Sequence, residues 1–413
     1  MKSGIINVYQ YFLIILVLAG FCPVVSARVI FVKDGSSLQS AIDKASDDDT
    51  LIIARGTFSA NRTIFGDSLC GNCSQHRTVI DATYAFIIKD KSICLIGSNR
   101  RESILMTNAG YGLYILNSPK CTISNLTVTG GVRDSLEMAS DGAVVIRNSN
   151  VLLENLDIIN NNHEHGSAVA GIAGVVGREG AEIIVDNCRI INNSWDGVAL
   201  YRGAVAIITD CLIKDGRGAG IGVTWDAICT AYRNIISGYW KGIGAFGTSW
   251  VSARNNAVYD NLGWGIIASG NSYMDVCNNV VHHNGNCGIA VWGSNTSGRF
   301  VNNIITENGW KKFWVCPCVG VYNYGDWSKW DFSYNLVWNN KEGNYRDIWD
   351  QTGVNNNISA DPEFLDKTFF LPNRGSPVID AGHQEISDPD GSCSDIGLYG
   401  GPQAKFDISP SLK

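Results

Sequence analysis

Charge is scarce in this chain. Only 17% of its 413 residues are Asp, Glu, Lys or Arg, and acidic residues outnumber basic ones 39 to 32. A net charge of −7, or −8 once Lys2 is removed, offers no basic surface for an extended polyanion, so no nucleic-acid partner is expected. After residue 27 no apolar run is long enough to cross a membrane, which excludes a spanning protein as the expected class. The six histidines are not spaced with the cysteine pairs as zinc ligands would be. The Leu-x-x-Leu-x-Leu frame of leucine-rich repeats is also missing, which excludes that solenoid.

The chain is rich instead in glycine, with 45, and in tryptophan, with 12. It also carries a recurring phrase: Asn187-Cys-Arg-Ile and then Gly197-Val-Ala-Leu, Asp210-Cys-Leu-Ile and then Gly220-Ile-Gly-Val, Arg233-Asn-Ile-Ile and then Gly242-Ile-Gly-Ala. Copies starting at Asn255, Asn278 and Asn302 follow, at a period of roughly 22 to 24 residues. Short apolar runs broken by Gly, Asn and Asp read as strand and turn in alternation. A left-handed hexapeptide helix would return after about 18 residues, whereas about 23 residues at ~3.3 Å each circle a flattened core once. The expected fold is an all-β right-handed parallel β-helix, a single-stranded solenoid of roughly ten to twelve coils.

Phase then becomes position, because residues of equal phase stack ~4.8 Å apart and neighbours in a strand point to opposite sides. Ile221, Val223, Ile243, Ala245, Ile289 and Val291 are expected inside. Ala199, Gly222, Gly244 and Ala290 are expected outside, as are Tyr201, Thr224, Phe246 and Trp292. Asn193, Asn261, Asn284 and Asn308 form a row expected to adopt left-handed turns and to stack as an amide ladder. Cys188 and Cys211 share a phase and are expected to stack in the core.

Residues 1–27 hold Lys2, an apolar run and a small-residue site at Ala27, the pattern of a cleaved export signal, so a secreted chain is expected. Disulfides are then permitted, with Cys70–Cys73 and Cys316–Cys318 as the candidate pairs. Leu38, Ala41, Ile42 and Ala45 share one face of a short helix, N-capped by Ser36 or Ser37, which should cap the first coil. The β-helix is expected over residues 28–345, with a tail at 346–413 packing on the last coils. Inserted loops are expected between Asn155 and Asn187 and after Asn308. Sequons stand at Asn61, Asn72, Asn125, Asn192, Asn295 and Asn357.

These repeats, with the opening Leu38-Gln-Ser-Ala-Ile-Asp-Lys-Ala and Asp49-Thr-Leu-Ile-Ile-Ala-Arg-Gly-Thr-Phe, resemble the pectin-lyase-like superfamily over about residues 29–345. The ending Gly375-Ser-Pro-Val-Ile-Asp-Ala-Gly is similar to the tail of secreted bacterial β-helix proteins. The resemblance implies lyases, hydrolases or epimerases of acidic polysaccharides, or non-catalytic surface proteins, with chemistry on the sheet of Gly-Ile-x-Val strands. Asp196-Gly197 is similar to the Asp-Gly of polygalacturonases. The next coils, however, offer Ala219-Gly220 and Lys241-Gly242 where that family has further Asp and His, so its triad is absent.

A lyase needs a base beside a uronate carboxyl and cations to neutralise it. Lys241 is the candidate base, Arg202 and Arg217 the candidate neutralisers, and Asp196 completes the candidate catalytic set. Trp195, Tyr201, Trp225 and Phe246 are the candidate sugar-binding residues. For Lys241 the alternative is a solvated surface lysine; for the two arginines it is a salt bridge with Asp196, Asp215 or Asp226. A second row, Asp260, His283 and Glu307, can orient an imidazole or serve simply as polar turn residues. His163 and His165 alternate as metal ligands do, without a third partner. No metal ligand set is assigned; the cofactor is left open, with calcium suggested only by the acidic stretch 388–395. The expected protein is a monomer with an extracellular polysaccharide as partner. Both an enzyme and a non-catalytic carbohydrate-binding protein fit the sequence.

Overall fold

The computed structural model describes residues 27–33, 35, 37–67, 79–134, 141–162, 171–311 and 316–405. All but the last residue of the expected export signal at 1–27, the Cys70–Cys73 pair, the Asn72 sequon and the His163–His165 pair lie outside the described residues. Each coil contributes one strand to each of three long sheets. The first sheet holds twelve strands from Val29–Val32 to Trp330–Ser333, the second eleven from Gly56–Ser59 to Leu336–Trp338, and the third twelve from Thr63–Asp67 to Tyr345–Arg346. Pairing within them is parallel except where Thr63–Asp67 runs antiparallel to Ile80–Lys89. The chain is thus a right-handed parallel β-helix, as the period predicts. Among the described residues no helix is long and apolar enough to cross a membrane.

Register bears out the phase argument. Val198, Ile221, Ile243, Ile266, Ile289 and Val321 stand opposite one another on consecutive strands of the third sheet. They lie in one continuous core with Val223, Ala245 and Val291. Burying each such side chain stabilises the coil by about 1.5–3 kcal/mol before the entropy of ordering it is counted. One residue of the phase reading slips. Asp141 precedes Gly142 as Asp196 precedes Gly197, which by phase alone puts the two in one row, but Ala173 pairs with Gly142, so the row of Asp196 runs through Gly142. Repeat spacing is irregular there, and the hydrogen-bond register decides.

The corners are built on a two-residue device. Where the first sheet turns into the second, Arg233, Asn255, Asn278, Asn302 and Tyr334 have left-handed backbone, as does Asn356 in the tail that stacks on them. Each is followed by a buried Asn whose amide bonds to the next coil, from Asn234 through Asn256, Asn279, Asn303 and Asn335 to Asn357. The same device turns the second sheet into the third, with Asn192, Asp260, His283 and Glu307 left-handed. Asn193, Asn261, Asn284 and Asn308 are therefore ladder rungs as expected, but the left-handed residue is the one before each. The two tasks conflict: a side chain that stacks inward is set by backbone that has already turned. Asn357 is such a buried rung, which takes its sequon out of reach of a glycan. Cys188 and Cys211 continue the first ladder as small apolar rungs, with the Cys188 N–H 3.4 Å from Cys211 Sγ.

The helix Leu38–Lys44 closes the open end. Ser37, not Ser36, is its N-cap, accepting from the Ser40 N–H at 3.2 Å. Leu38 and Ile42 enter the core. The tail runs back along the solenoid, putting Phe370, Val378 and Ile396 against Ala257, Val280 and Ile304 of the second sheet. The left-handed asparagines hold its backbone: Asn255 donates to the carbonyls of Leu398 and Gly400, Asn278 donates to that of Asp395, and Asn302 accepts from His383 N–H. In the acidic stretch 388–395, Asp388 and Asp390 accept from N–H groups of the tail itself, so these carboxylates fold the tail. With the second sheet covered, the outer face of the third is left to the candidate site.

Candidate functional site

The candidate residues enter the third sheet just after its corner. Asn193-Ser-Trp-Asp, Gly216-Arg-Gly-Ala and Tyr239-Trp-Lys-Gly occupy equal phase on three successive coils, and Asp196, Ala219, Lys241 and Trp264 fall in one row. Asp196 is buried, and its carboxylate accepts from the Ala219 N–H at 2.6 Å. Its side chain needs the glycines around it, since a Cβ on Gly218 would collide with its Oδ1 and one on Gly222 would stand 3.1 Å from its Oδ2. Burial pushes this carboxyl up to about 6, against the pull of that hydrogen bond and of Lys241.

Lys241 answers from two coils on. Burial lowers its pKa from the ordinary lysine value, while the charge of Asp196 raises it. The ammonium lies 5.7 Å from the ring centre of Phe246 and 5.8 Å from that of Trp264. Phe246 gets there by lying over Gly244, where a Cβ would be 2.5 Å from its ring. Lys241 is therefore no freely solvated surface lysine: it is half-buried between two aromatic faces and a buried carboxyl. Trp264 packs edge-on against both Trp240 and Trp292, extending the aromatic wall along the coils.

The other candidates divide between the two ends of the strands. Trp195 and Arg217 stand at the Asp196 end, Trp195 half-buried and Arg217 exposed, with the Arg217 N–H donating to the Trp195 carbonyl at 3.2 Å. Tyr201 bridges toward a different cluster: burial and the charge of Asp196 raise its hydroxyl pKa, while Arg178 lowers it. Arg202 and Trp225 belong to the opposite corner, where both have left-handed backbone and the chain turns into the first sheet. The Arg202 guanidinium is 3.4 Å from Glu179, and Asp226 accepts from the N–H of the neighbouring Gly203 at 2.8 Å. Five residues of nearly extended chain lie between Arg202 and Asp196, a span no phase argument removes. Trp225 is partly exposed and its carbonyl accepts from the Thr248 side chain at 2.9 Å.

Sequence reasoning missed the group next to Tyr201. Arg178 is fully buried, donating to Glu179 at 2.8 Å and reaching Asp67 and the Tyr111 hydroxyl at 3.5 Å each. Arg147 joins the same Asp67 and Glu179. The signal was the Arg147 and Arg178 match at one phase; Asp67 arrives only through the antiparallel strand, which no repeat announces. The second row also came together in part. His283 Nδ1 is 2.6 Å from Asp260, but Glu307 pairs with Lys367 of the tail at 2.7 Å. Beside it, burial lowers His282 to about 4. The second acid of the row is thus engaged by the tail, and all three row residues serve as left-handed corner residues.

A family model described as a right-handed β-helix region matches residues 69–227 and, overlapping, 170–358. No curated protein matches the chain. Among solved structures, the pectate lyase Pel9A is 16% identical over 90% of this chain and 96% of its own, with a TM-score of 0.49. A PL6 family polysaccharide lyase from Pseudopedobacter saltans is 13% identical over 83% and 95%, with a TM-score of 0.43. The A-module of a mannuronan C-5 epimerase from Azotobacter vinelandii is 14% identical over 78% and 94%, with a TM-score of 0.36. With TM-scores below 0.5, these likenesses carry no argument about this chain.

Proposed function

This chain belongs to the right-handed β-helix family, and on that premise we propose that its third sheet binds an acidic polysaccharide and acts on it by lyase-type or epimerase-type chemistry at a uronate. Lys241 carries the reading, because its amine is made easier to deprotonate by burial and is held beside a buried carboxyl. In its uncharged form it takes the proton from the carbon next to the uronate carboxyl. The electron pair enters that carboxyl, and Arg217, exposed on the intervening coil, meets the charge. Elimination follows when the pair returns to form a double bond and expels the glycosidic oxygen. Return of a proton from the opposite face instead inverts the carbon. The export signal over residues 1–27 would place the protein outside the cell, where such polymers occur.

The aromatic wall favours a second reading, in which the same face only holds a glycan: Trp264, Trp292 and Tyr324 follow one another along the coils, and Tyr324 is well exposed. Incubating the full chain with a panel of uronate-containing polysaccharides separates the two. A rise in the ultraviolet absorbance of unsaturated uronates, abolished in Lys241→Ala while oligosaccharide binding persists, supports elimination. Proton exchange into the polymer without chain cleavage supports epimerisation. Binding with neither, or full turnover by Lys241→Ala, overturns the assignment of Lys241.

A further inference from the structure

Cys287 and Cys316 are both fully buried beneath the aromatic wall, and their sulfurs stand 2.8 Å apart. That is well inside the ~3.5–4.0 Å at which nonbonded heavy atoms rest. A disulfide of ~2.05 Å requires them to close by less than about 1 Å. The sequence suggested Cys316 with Cys318, but the Cys318 thiol turns the other way, donating to the Lys311 carbonyl at 2.8 Å. We propose that Cys287 and Cys316 form a structural disulfide that ties the strap inserted after Asn308 back onto the coil it crosses.

The strap begins against the same coil. Gly309 N–H donates to Asn284, Lys311 N–H to Gly285, and the Trp310 indole to the His283 carbonyl at 2.8 Å. Lys311 then places its ammonium 4.9 Å from the ring centre of Trp240, next to Lys241 in the chain. A bond at Cys316 fastens the returning leg as these contacts fasten the outgoing one. In forming it the two thiols lose two protons and two electrons, and an exogenous disulfide oxidant such as oxidised glutathione takes them up as its own S–S bond becomes two thiols. Because both sulfurs are buried, the exchange belongs to folding.

The proposal does not depend on the uronate reading and is tested without it. The full chain is reduced, unfolded, refolded with oxidised glutathione, alkylated in denaturant and digested without reductant. Mass spectrometry should find the Cys287 and Cys316 peptides linked and Cys318 alkylated. Closing a loop of about 30 residues should raise the melting temperature by roughly 4 °C over the protein kept in dithiothreitol. That difference should persist in Cys318→Ser and be lost in Cys316→Ser, apart from any share owed to a Cys70–Cys73 bridge. Alkylation of both Cys287 and Cys316 in the refolded protein, or a link from Cys316 to Cys318, would overturn the proposal.

Discussion

The two corners of this solenoid use the same two-residue turn and differ in how far they keep to it. The corner between the first and second sheets carries buried Asn rungs without a gap from Asn234 to Asn357. The corner between the second and third sheets bonds Asn161 to Asn193, breaks, and resumes at Asn261. In the break stand Gly216 and Tyr239, whose ring occupies the space a side chain at Gly216 would need, with a Cβ there 2.2 Å from the ring. Arg217 and Lys241 follow these positions within two residues, and Asp196 stands three residues after Asn193, the last rung before the break. Unbroken repetition gives each amide both its partners. Where the repetition lapses, the chain places its buried carboxyl, its depressed lysine and their glycine-lined seat.

The sharpest way to break this contrast is to damage the unbroken ladder. Asn256 accepts from the Asn234 backbone and amide and donates to Asn279 and to the Ala231 carbonyl. Asn256→Ala leaves those buried groups without partners and should cost about 3–5 kcal/mol in urea unfolding. Next in size is the broken corner's carboxyl. Asp196 binds its proton more tightly folded than unfolded, so wild-type stability should fall as pH rises from about 4 to about 6. Asp196→Asn should lose that slope and gain up to about 3 kcal/mol above pH 6, read by unfolding across the range. In the same variant the acidic limb of a pH–rate profile set by Lys241 should move to lower pH, because the carboxylate that raises its pKa is gone. A profile that stays in place would separate Lys241 from catalysis. The smallest effect is expected inside the break. The Tyr239 hydroxyl is buried and has no hydrogen-bond partner among the described residues, so Tyr239→Phe should be neutral or stabilising by up to about 1 kcal/mol.

Much of the fold was legible because a coil repeats its local chemistry. Ile221, Ile243 and Ile289 fall inward and Gly222, Gly244 and Ala290 outward, which alternation along a strand requires. The site was legible in part. Asp196, Lys241 and Phe246 share a surface because they lie within a few residues of one phase. Arg202 and Trp225 were grouped with them because adjacent coils were taken as adjacency, although a strand's two ends lie at different corners. Asp67, which completes the cluster around Arg178, comes from the one antiparallel strand in the third sheet and carries no repeat signature.

By itself the sequence determined the path of the backbone: the period, the alternation of strand and turn, the inward faces, the capping helix and the Asn row from Asn193 to Asn308. Each is a local preference written many times over, and stacking makes identical preferences reinforce one another. Only the tertiary structure decided which unlike groups meet: Lys241 with a carboxyl two coils away, Tyr239 in the gap left by Gly216, the tail on Asn255, Asn278 and Asn302, Cys316 against Cys287. Phase assigns a residue its place on the coil, but not how deeply neighbours bury it or where an inserted segment of unrepeated length comes back to the solenoid. Those depend on the volumes and charges that happen to surround it.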